Sequence, residues 1–291
     1  MEQPVARRIL AAVLVAVFAA MFLYRVLHQG GLAETALFYV GIPAVIAVSV
    51  ALTAKPRSVT GLIMVTITIC LALAGPLLAE GFVCLVMASP LFYLIGLVMG
   101  LTIDWARQHP RHPHALLALP LVLGLSLEGV TDAYSLPRDN EVTVVRQATP
   151  GMDIEAALAS SPRFPPVESP FLTIGFPKPV TCVGEGLDVG DTRTITFTPR
   201  RSLGIGAPLE PRSLTLRVSE RGPGRVVFAV TEDTTVARWL DLRETEFRWR
   251  DDRITVTMRY RRTFDPGWYF GPLQRYAVSE AGAYLAGAFT S

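Results

Sequence analysis

The sequence predicts two parts of different fold class: an α-helical membrane region of about five transmembrane helices, then an α+β domain. In that domain a curved antiparallel sheet is expected to pack on a long C-terminal helix. Apolar residues make up 51% of the 291-residue chain and concentrate in its first half, which is too high a content for an ordinary soluble protein. The second half is charged and alternates apolar and polar residues over short segments. We therefore assign residues 1–133 to the membrane region and 134–291 to the α+β domain.

Five apolar runs in the first half are candidates to cross a bilayer, because a helical span needs about 20 apolar residues. They cover residues 9–27, 36–53, 59–78, 82–103 and 114–130. The last run is the weakest, since it is short, contains Pro120 and reaches Glu128 near its end. Arg25, Glu80 and Asp104 also fall near span ends, which favours interfacial anchoring over an ion pathway.

The positive-inside rule sets the predicted orientation of the membrane region. If every run crosses, one side of the membrane carries Arg7, Arg8, Lys55, Arg57, Arg107 and Arg111. That side is expected to be cytoplasmic. The C-terminal domain then lies outside the cytoplasm, at the plasma membrane of a bacterium, and the lipid bilayer is a partner of the chain. A fifth run that only lies at the interface would reverse this assignment.

Composition and the polar residues argue against several classes of function. A net charge of +2 does not indicate a binding surface for nucleic acid. The three cysteines are scattered, so neither a metal site nor a cofactor is predicted. The second half contains no histidine, so no Ser-His-Asp or Cys-His centre and no catalytic residue is assigned in it. Cys182 has no neighbouring base and is expected to be a buried packing residue. Protein partners are left unassigned.

Strict alternation over short segments predicts antiparallel strands joined by hairpins, because one face of such a strand is buried. The residues expected on one face are Ile195 and Phe197; Leu214, Leu216 and Val218; Val226, Phe228 and Val230; Thr245, Phe247 and Trp249; and Ile254, Val256, Met258 and Tyr260. Residues 141–147 predict a further strand, possible at a sheet edge. On the other face Glu244 and Glu246 alternate with arginines, which predicts a solvated ladder of cross-strand pairs.

Two predicted helices bracket this sheet. Residues 150–160 follow the first strand and combine an Asp-Ile-Glu start with an alanine-rich body. The C-terminal helix has an apolar stripe formed by Leu273, Ala277, Ala281, Tyr284, Leu285 and Ala288. A proline-rich stretch, residues 162–179, lies between the first helix and the next predicted strand and indicates an irregular covering loop.

The segment MRYRRTFDPGWYFGPLQRYAVSEAGAYL, residues 258–285, ends a strand and begins the long helix. With the order of elements before it, this segment resembles the START-like (Bet v 1-like, SRPBCC) superfamily over residues 140–289. The similar branch contains polyketide cyclases/dehydrases and lipid transport proteins. The resemblance implies a helix-grip fold with a hydrophobic pocket for lipids, sterols, polyketides or other apolar ligands. Some members are enzymes and many only bind, and the membrane spans are not part of the family pattern.

The pocket that the resemblance implies would lie between the sheet and the C-terminal helix. The residues expected to line it and bind the ligand are Phe247, Trp249, Met258, Tyr260, Trp268, Tyr269, Phe270, Tyr276 and Tyr284. Their alternative role is to fill the core. Asp265 is expected to cap the helix with Pro266 at its first position, and Pro272 to kink it. Residues 268–270 would then plug or gate one mouth of the cavity.

The predicted function is a membrane-anchored domain that binds a hydrophobic small molecule or lipid near the bilayer, without catalysis. One alternative is an enzyme of the cyclase or isomerase type, acting on a polyketide-like substrate through groups such as Tyr260 or Glu244. The other alternative is a sensor or interaction module that modulates the membrane part or a partner protein.

Overall fold

The structure of the protein is a computed structural model. It describes residues 3–28, 42–54, 56–78, 82–109, 124, 127–173, 176–201, 209–237 and 240–290. The chain divides into two compact units. The first contains the described residues before 127, and the second contains Leu127–Arg201 and Leu209–Ser291.

The described residues of the first four predicted runs are helical. The helices of the first unit are α1 (Gln3–His28), α2 (Ile42–Thr53), α3 (Val59–Leu78) and α4 (Phe82–Gln108). Among the described residues, one helix, over Leu85–Gln108, is long and apolar enough to cross a membrane; Ile9–Ala20 and Val59–Ala74 are shorter apolar helices. The fifth run lies mostly outside the described residues, so the count of five spans stays a prediction.

Helices α3 and α4 pack closely along one face of α4 on which Gly96, Gly100 and Asp104 recur every four residues. A Cβ built on Gly100 would lie 2.5 Å from the Cα of Thr60, and one built on Gly96 would collide with a side chain of α3. Small residues at this spacing let helix backbones approach one another. The Asp104 carboxylate accepts hydrogen bonds from the backbone N–H groups of Val59 and Thr60, at 2.9 Å each, and so caps α3.

The second unit contains a seven-stranded antiparallel sheet. Its strands are β1 (Asp139–Gln147), β2 (Pro179–Val183), β3 (Thr192–Arg201), β4 (Leu209–Gly222), β5 (Arg225–Asp233), β6 (Leu240–Arg250) and β7 (Arg253–Arg262). Their order in the sheet is β1-β7-β6-β5-β4-β3-β2. The predicted antiparallel sheet of successive hairpins is therefore confirmed, with β1 at one edge. Strand β2, which forms the other edge, was not among the predicted strands.

The alternation of buried residues sets the inner face of the sheet. In β7 every second residue from Ile254 to Tyr260 is buried, and in β4 the buried residues include Leu214, Leu216 and Val218. Register shifts in β4 and β6 bend these strands, as extra residues in a strand do. Helix α7 (Gly267–Gly287) packs against β1 and β7. A curved antiparallel sheet held against a terminal helix is the helix-grip arrangement.

The described residues of the second unit also form two short helices and one 3₁₀ turn. They are the turn Asp132–Tyr134, α5 (Ile154–Ala159) and α6 (Pro170–Thr173). The Asp153 carboxylate accepts a hydrogen bond from the N–H of Ala156 at 3.0 Å, so it caps α5 as the acidic start predicted. The described residues of the proline-rich stretch after α5 are irregular as expected, except for the single turn of α6 and for Pro179, which begins β2.

The start of α7 differs from the sequence prediction. Asp265 does not cap the helix, because its carboxylate pairs with Arg138 at 2.7 Å and with Arg262 at 2.5 Å. The Glu128 carboxylate instead accepts a hydrogen bond from the backbone N–H at the first residue of α7. Glu128 also pairs with Arg262, whose side chain is only 2% exposed. Pro272 lies inside one continuous helix and does not divide it.

Candidate ligand cavity

A cavity of about 200 Å³ lies between the inner face of the sheet and α7. Strands β2 to β7, α7 and the proline-rich cover all contribute to its wall. The wall is almost wholly apolar, with Leu214, Leu216, Phe228, Leu242, Ala281 and Leu285 among its residues. A concave apolar space with few polar groups is the usual form of a site for a small hydrophobic molecule.

Three of the nine predicted site residues line this cavity: Phe247, Met258 and Tyr284. Phe247 meets Phe228 and Phe289 edge to face, with ring centroids 5.8 and 5.5 Å apart. The Tyr284 hydroxyl donates a hydrogen bond to the carbonyl of Pro165 at 2.8 Å, which ties α7 to the proline-rich cover. Burial raises the pKa of the Tyr284 phenol. These contacts fix the shape of the wall near α7; ligand binding by these residues stays a prediction.

Trp249 and Tyr260 lie on the inner face, as the alternation predicted, but outside the cavity wall. Trp249 is partly buried and packs against the core near the end of β6. Tyr260 is 2% exposed and belongs to the core. Burial raises the pKa of Tyr260, while a hydrogen bond with the Arg275 side chain acts in the opposite direction. Both residues therefore fill space around the cavity, which is the alternative role considered for them.

The remaining four predicted residues lie along the first half of α7, away from the cavity. Trp268 and Phe270 contact Tyr269 edge to face, and Phe270 also packs on Phe264 with ring centroids 5.5 Å apart. Tyr276 is exposed and contacts Phe171 edge to face. The mouth position predicted for residues 268–270 is thus corrected: the part of α7 that lines the cavity begins at Ala277.

Apart from Tyr284, the polar residues of the described wall were not among the predicted site residues. They are Lys178, Cys182, Arg193 and Thr245. Arg193 precedes Ile195 by two residues in β3, so the same alternation that placed Ile195 inward also places Arg193 inward. That signal was present in the sequence, but a charged residue is seldom expected on a buried face.

Arg193 is 3% exposed, and the protein backbone holds its guanidinium in place. Its Nη2 donates hydrogen bonds to the carbonyl oxygens of Leu158 and Gly186, the latter at 3.0 Å. Its Cζ lies 5.2 Å from the ring centroid of Phe228, in a cation–π arrangement. Burial lowers the pKa of Arg193, yet a guanidinium stays protonated in proteins. The cavity wall therefore contains a fixed positive charge.

Cys182 packs against the hydrophobic core, as predicted, but it is only half-buried and also lies on the cavity wall. Burial raises the pKa of its thiol, and the nearby charge of Arg193 acts in the opposite direction. Because desolvation is the larger effect, the thiol is mostly uncharged at neutral pH. Its position makes it a natural reporter on whether the cavity is filled.

The outer face of the sheet carries the predicted ladder of cross-strand ion pairs, but Glu246 is not solvated there. Its side chain is 2% exposed and accepts hydrogen bonds from Arg225 at 2.6 Å, Arg248 at 2.5 Å and Arg259 at 2.8 Å. Burial by itself would raise the pKa of Glu246. The hydrogen bonds from these three arginines outweigh it and lower the pKa from 4.5 to about 2.

Comparison with known proteins finds similarity in solved structures. The ginseng major latex-like protein 151 from Panax ginseng is 13% identical, with 50% of this chain and 97% of that chain covered and a TM-score of 0.30. Aha1 from Colwellia psychrerythraea is 15% identical, with 52% of this chain and 96% of that chain covered and a TM-score of 0.26. A Polyketide_cyc-like protein from Corynebacterium glutamicum is also 15% identical, with 52% of this chain and 83% of that chain covered and a TM-score of 0.26. Neither the protein-family models nor the curated proteins include a match to this sequence. The helix-grip architecture is assigned from this chain's own sheet order and terminal helix.

Proposed function

We propose that the C-terminal unit binds a hydrophobic small molecule or lipid in the cavity between its sheet and α7. The observation that carries this proposal is the cavity itself, about 200 Å³ lined by almost wholly apolar side chains. Protein interiors are normally packed with few voids larger than a water molecule. An apolar space of this size at the centre of the fold therefore favours a ligand over a merely structural core.

Binding without catalysis is supported by where the residues of the enzyme alternative lie. Tyr260 belongs to the packed core, and Glu244 on the outer face pairs with Arg259 at 3.3 Å. Neither residue is part of the cavity wall, so neither is placed to exchange a proton with a molecule inside it. On the wall itself, Arg193 cannot act as a base because it stays protonated, and the Tyr284 hydroxyl donates its proton in a hydrogen bond to the carbonyl of Pro165.

The first unit is proposed to anchor this binding domain in the plasma membrane, with the domain outside the cytoplasm. Support comes from α4, which is long and apolar enough to cross a bilayer over Leu85–Gln108. Large apolar side chains are also exposed on the outer surface of these helices, among them Ile9, Val13, Leu62 and Phe92. Extended apolar surface of this kind marks contact with lipid or with another protein. A topology reporter fused after Ser291 tests the orientation, and cytoplasmic signal would contradict it.

Thermal unfolding of the full chain in lipid nanodiscs tests the binding proposal. A molecule that binds only the folded state raises the unfolding temperature by mass action. Lauryl alcohol is expected to raise it for the wild type. Ala281→Trp places a large ring into the cavity wall and is expected to abolish the shift, whereas Val145→Trp, at an exposed position on β1, should keep it. Equal shifts in all three proteins would show that the alcohol acts elsewhere and would refute binding in the cavity.

A further inference from the structure

The guanidinium of Arg193 is a buried cation with unused hydrogen-bonding capacity beside an apolar cavity. Its Nε is buried and has no hydrogen-bond partner, while its Nη2 donates to two backbone carbonyls. Among the described residues no carboxylate forms an ion pair with Arg193, although Asp191 and Glu185 attract its charge without direct contact. Buried donors are almost always paired, and buried charges are normally balanced by an opposite charge.

The other polar groups of the wall do not share this property. The Tyr284 hydroxyl is already bonded to the carbonyl of Pro165. Lys178 is exposed, so water solvates its ammonium group. The Cys182 thiol is half-buried and uncharged at neutral pH, because burial raises its pKa. Among the residues of the described wall, Arg193 is thus the one that would bind an anionic group most strongly.

We propose that the ligand of this cavity is an apolar molecule that carries a carboxylate, and that the carboxylate binds the Nε–H of Arg193. This inference rests on the proposed function and specifies its ligand class. A carboxylate supplies both an acceptor for the unpaired donor and a negative charge in direct contact with the guanidinium, and charge-assisted hydrogen bonds of this kind are the strong ones. The hydrocarbon part of the ligand then occupies the space bounded by residues such as Leu216, Phe247 and Met258.

Alkylation of Cys182 in the full chain measures this selectivity. Replacing Cys70 and Cys84 by serine leaves Cys182 as the single cysteine of the chain, and its reaction with N-ethylmaleimide in nanodiscs is followed by mass spectrometry. Lauric acid and lauryl alcohol have the same chain and differ in the head group. Both should slow the alkylation, but the acid at a concentration about tenfold lower, as one charge-assisted hydrogen bond would give.

Two variants assign the preference to one cation. Arg193→Met should remove the difference between acid and alcohol, and Arg193→Lys, which keeps the charge, should retain part of it. Lys178→Met removes the other cation of the wall and should leave the difference unchanged. The wild-type comparison needs no variant to fold: equal protection by acid and alcohol would overturn the proposal while leaving hydrophobic binding intact. Loss of the preference in Lys178→Met would overturn it as well, and protection by neither compound would contradict the proposed function itself.

Discussion

The carboxylate of Glu128 accepts a hydrogen bond from the backbone N–H of Gly267, the first residue of the C-terminal helix. The same carboxylate accepts a hydrogen bond from the N–H of Leu136 at 2.8 Å and pairs with Arg262 at 3.3 Å. Glu128 lies in the segment that precedes the sheet and Arg262 at the end of β7. One side chain therefore joins the entry of the domain, the last strand and the helix that closes the cavity.

Glu128→Ala is expected to destabilise the C-terminal unit by about 2 kcal/mol, because it unpairs a buried N–H and removes one partner of a buried arginine. Arg262 keeps its contacts with Asp265 and two carbonyl oxygens. The loss of stability should therefore be smaller than that caused by a buried arginine without any partner. Denaturant unfolding of the full chain in nanodiscs measures the change. Glu232→Ala, at an exposed position of β5, is the control and should leave the unfolding free energy unchanged.

Glu246 should make stability depend on pH in the acid range. Its pKa falls from 4.5 to about 2 in the folded state, so its carboxylate stabilises the fold above about pH 4.5. This contribution is lost as the pH falls toward 2. Glu246→Gln is therefore expected to cost about 2 kcal/mol at neutral pH, a value reduced by solvent around the partly exposed arginines.

The difference between Glu246→Gln and the wild type should shrink as the pH falls from about 4.5 toward 2, because the unfolded wild-type chain then takes up a proton that the folded carboxylate binds only near pH 2. Unfolding free energies measured across this range check the prediction. In Glu232→Gln the exposed carboxylate is removed instead, and no such convergence is expected. A pH-independent gap between Glu246→Gln and the wild type would contradict the stabilising role of the charged carboxylate.

Gly100→Ala should weaken the packing of α3 on α4, although alanine favours a helix more than glycine does. The added Cβ would lie 2.5 Å from the backbone of Thr60, so the helices must separate, at a cost of about 1–3 kcal/mol. Gly271→Ala in α7 is the matched control, because its Cβ would meet only the Arg262 side chain at 4.0 Å. The unfolding temperature of the full chain should fall for Gly100→Ala and hold or rise for Gly271→Ala. Equal responses would refute the close contact.

Much of the sheet could be predicted because alternation reports burial directly. The faces of β4 and β7 followed from apolar residues at every second position. Strand β2 was not predicted because its five residues, Pro179–Val183, are too few to show an alternation of apolar and polar residues. The residue after them is also glycine. The short α5 was recognised because its cap, Asp153, lies next to it in the chain.

The features that the sequence did not predict depend on distant residues. Glu246 is buried by arginines that β5 and β7 bring over it, and a period-two pattern says nothing about neighbouring strands. The N–H of α7 is satisfied by Glu128, 139 residues earlier, whereas capping rules consider only adjacent residues such as Asp265. Arg193 did lie at an inward position, but only the folded cavity reveals its unpaired Nε.

The central claim, that a hydrophobic molecule occupies the space between the sheet and α7, is tested most directly at Met258. Methionine methyl NMR of the full chain in nanodiscs observes this side chain on the cavity wall, with Met258→Leu to assign its signal. Titration with lauryl alcohol should shift the Met258 resonance to a saturating value and leave that of Met152, outside the wall, in place. A Met258 resonance that does not move while the alcohol is in excess would contradict binding in this cavity.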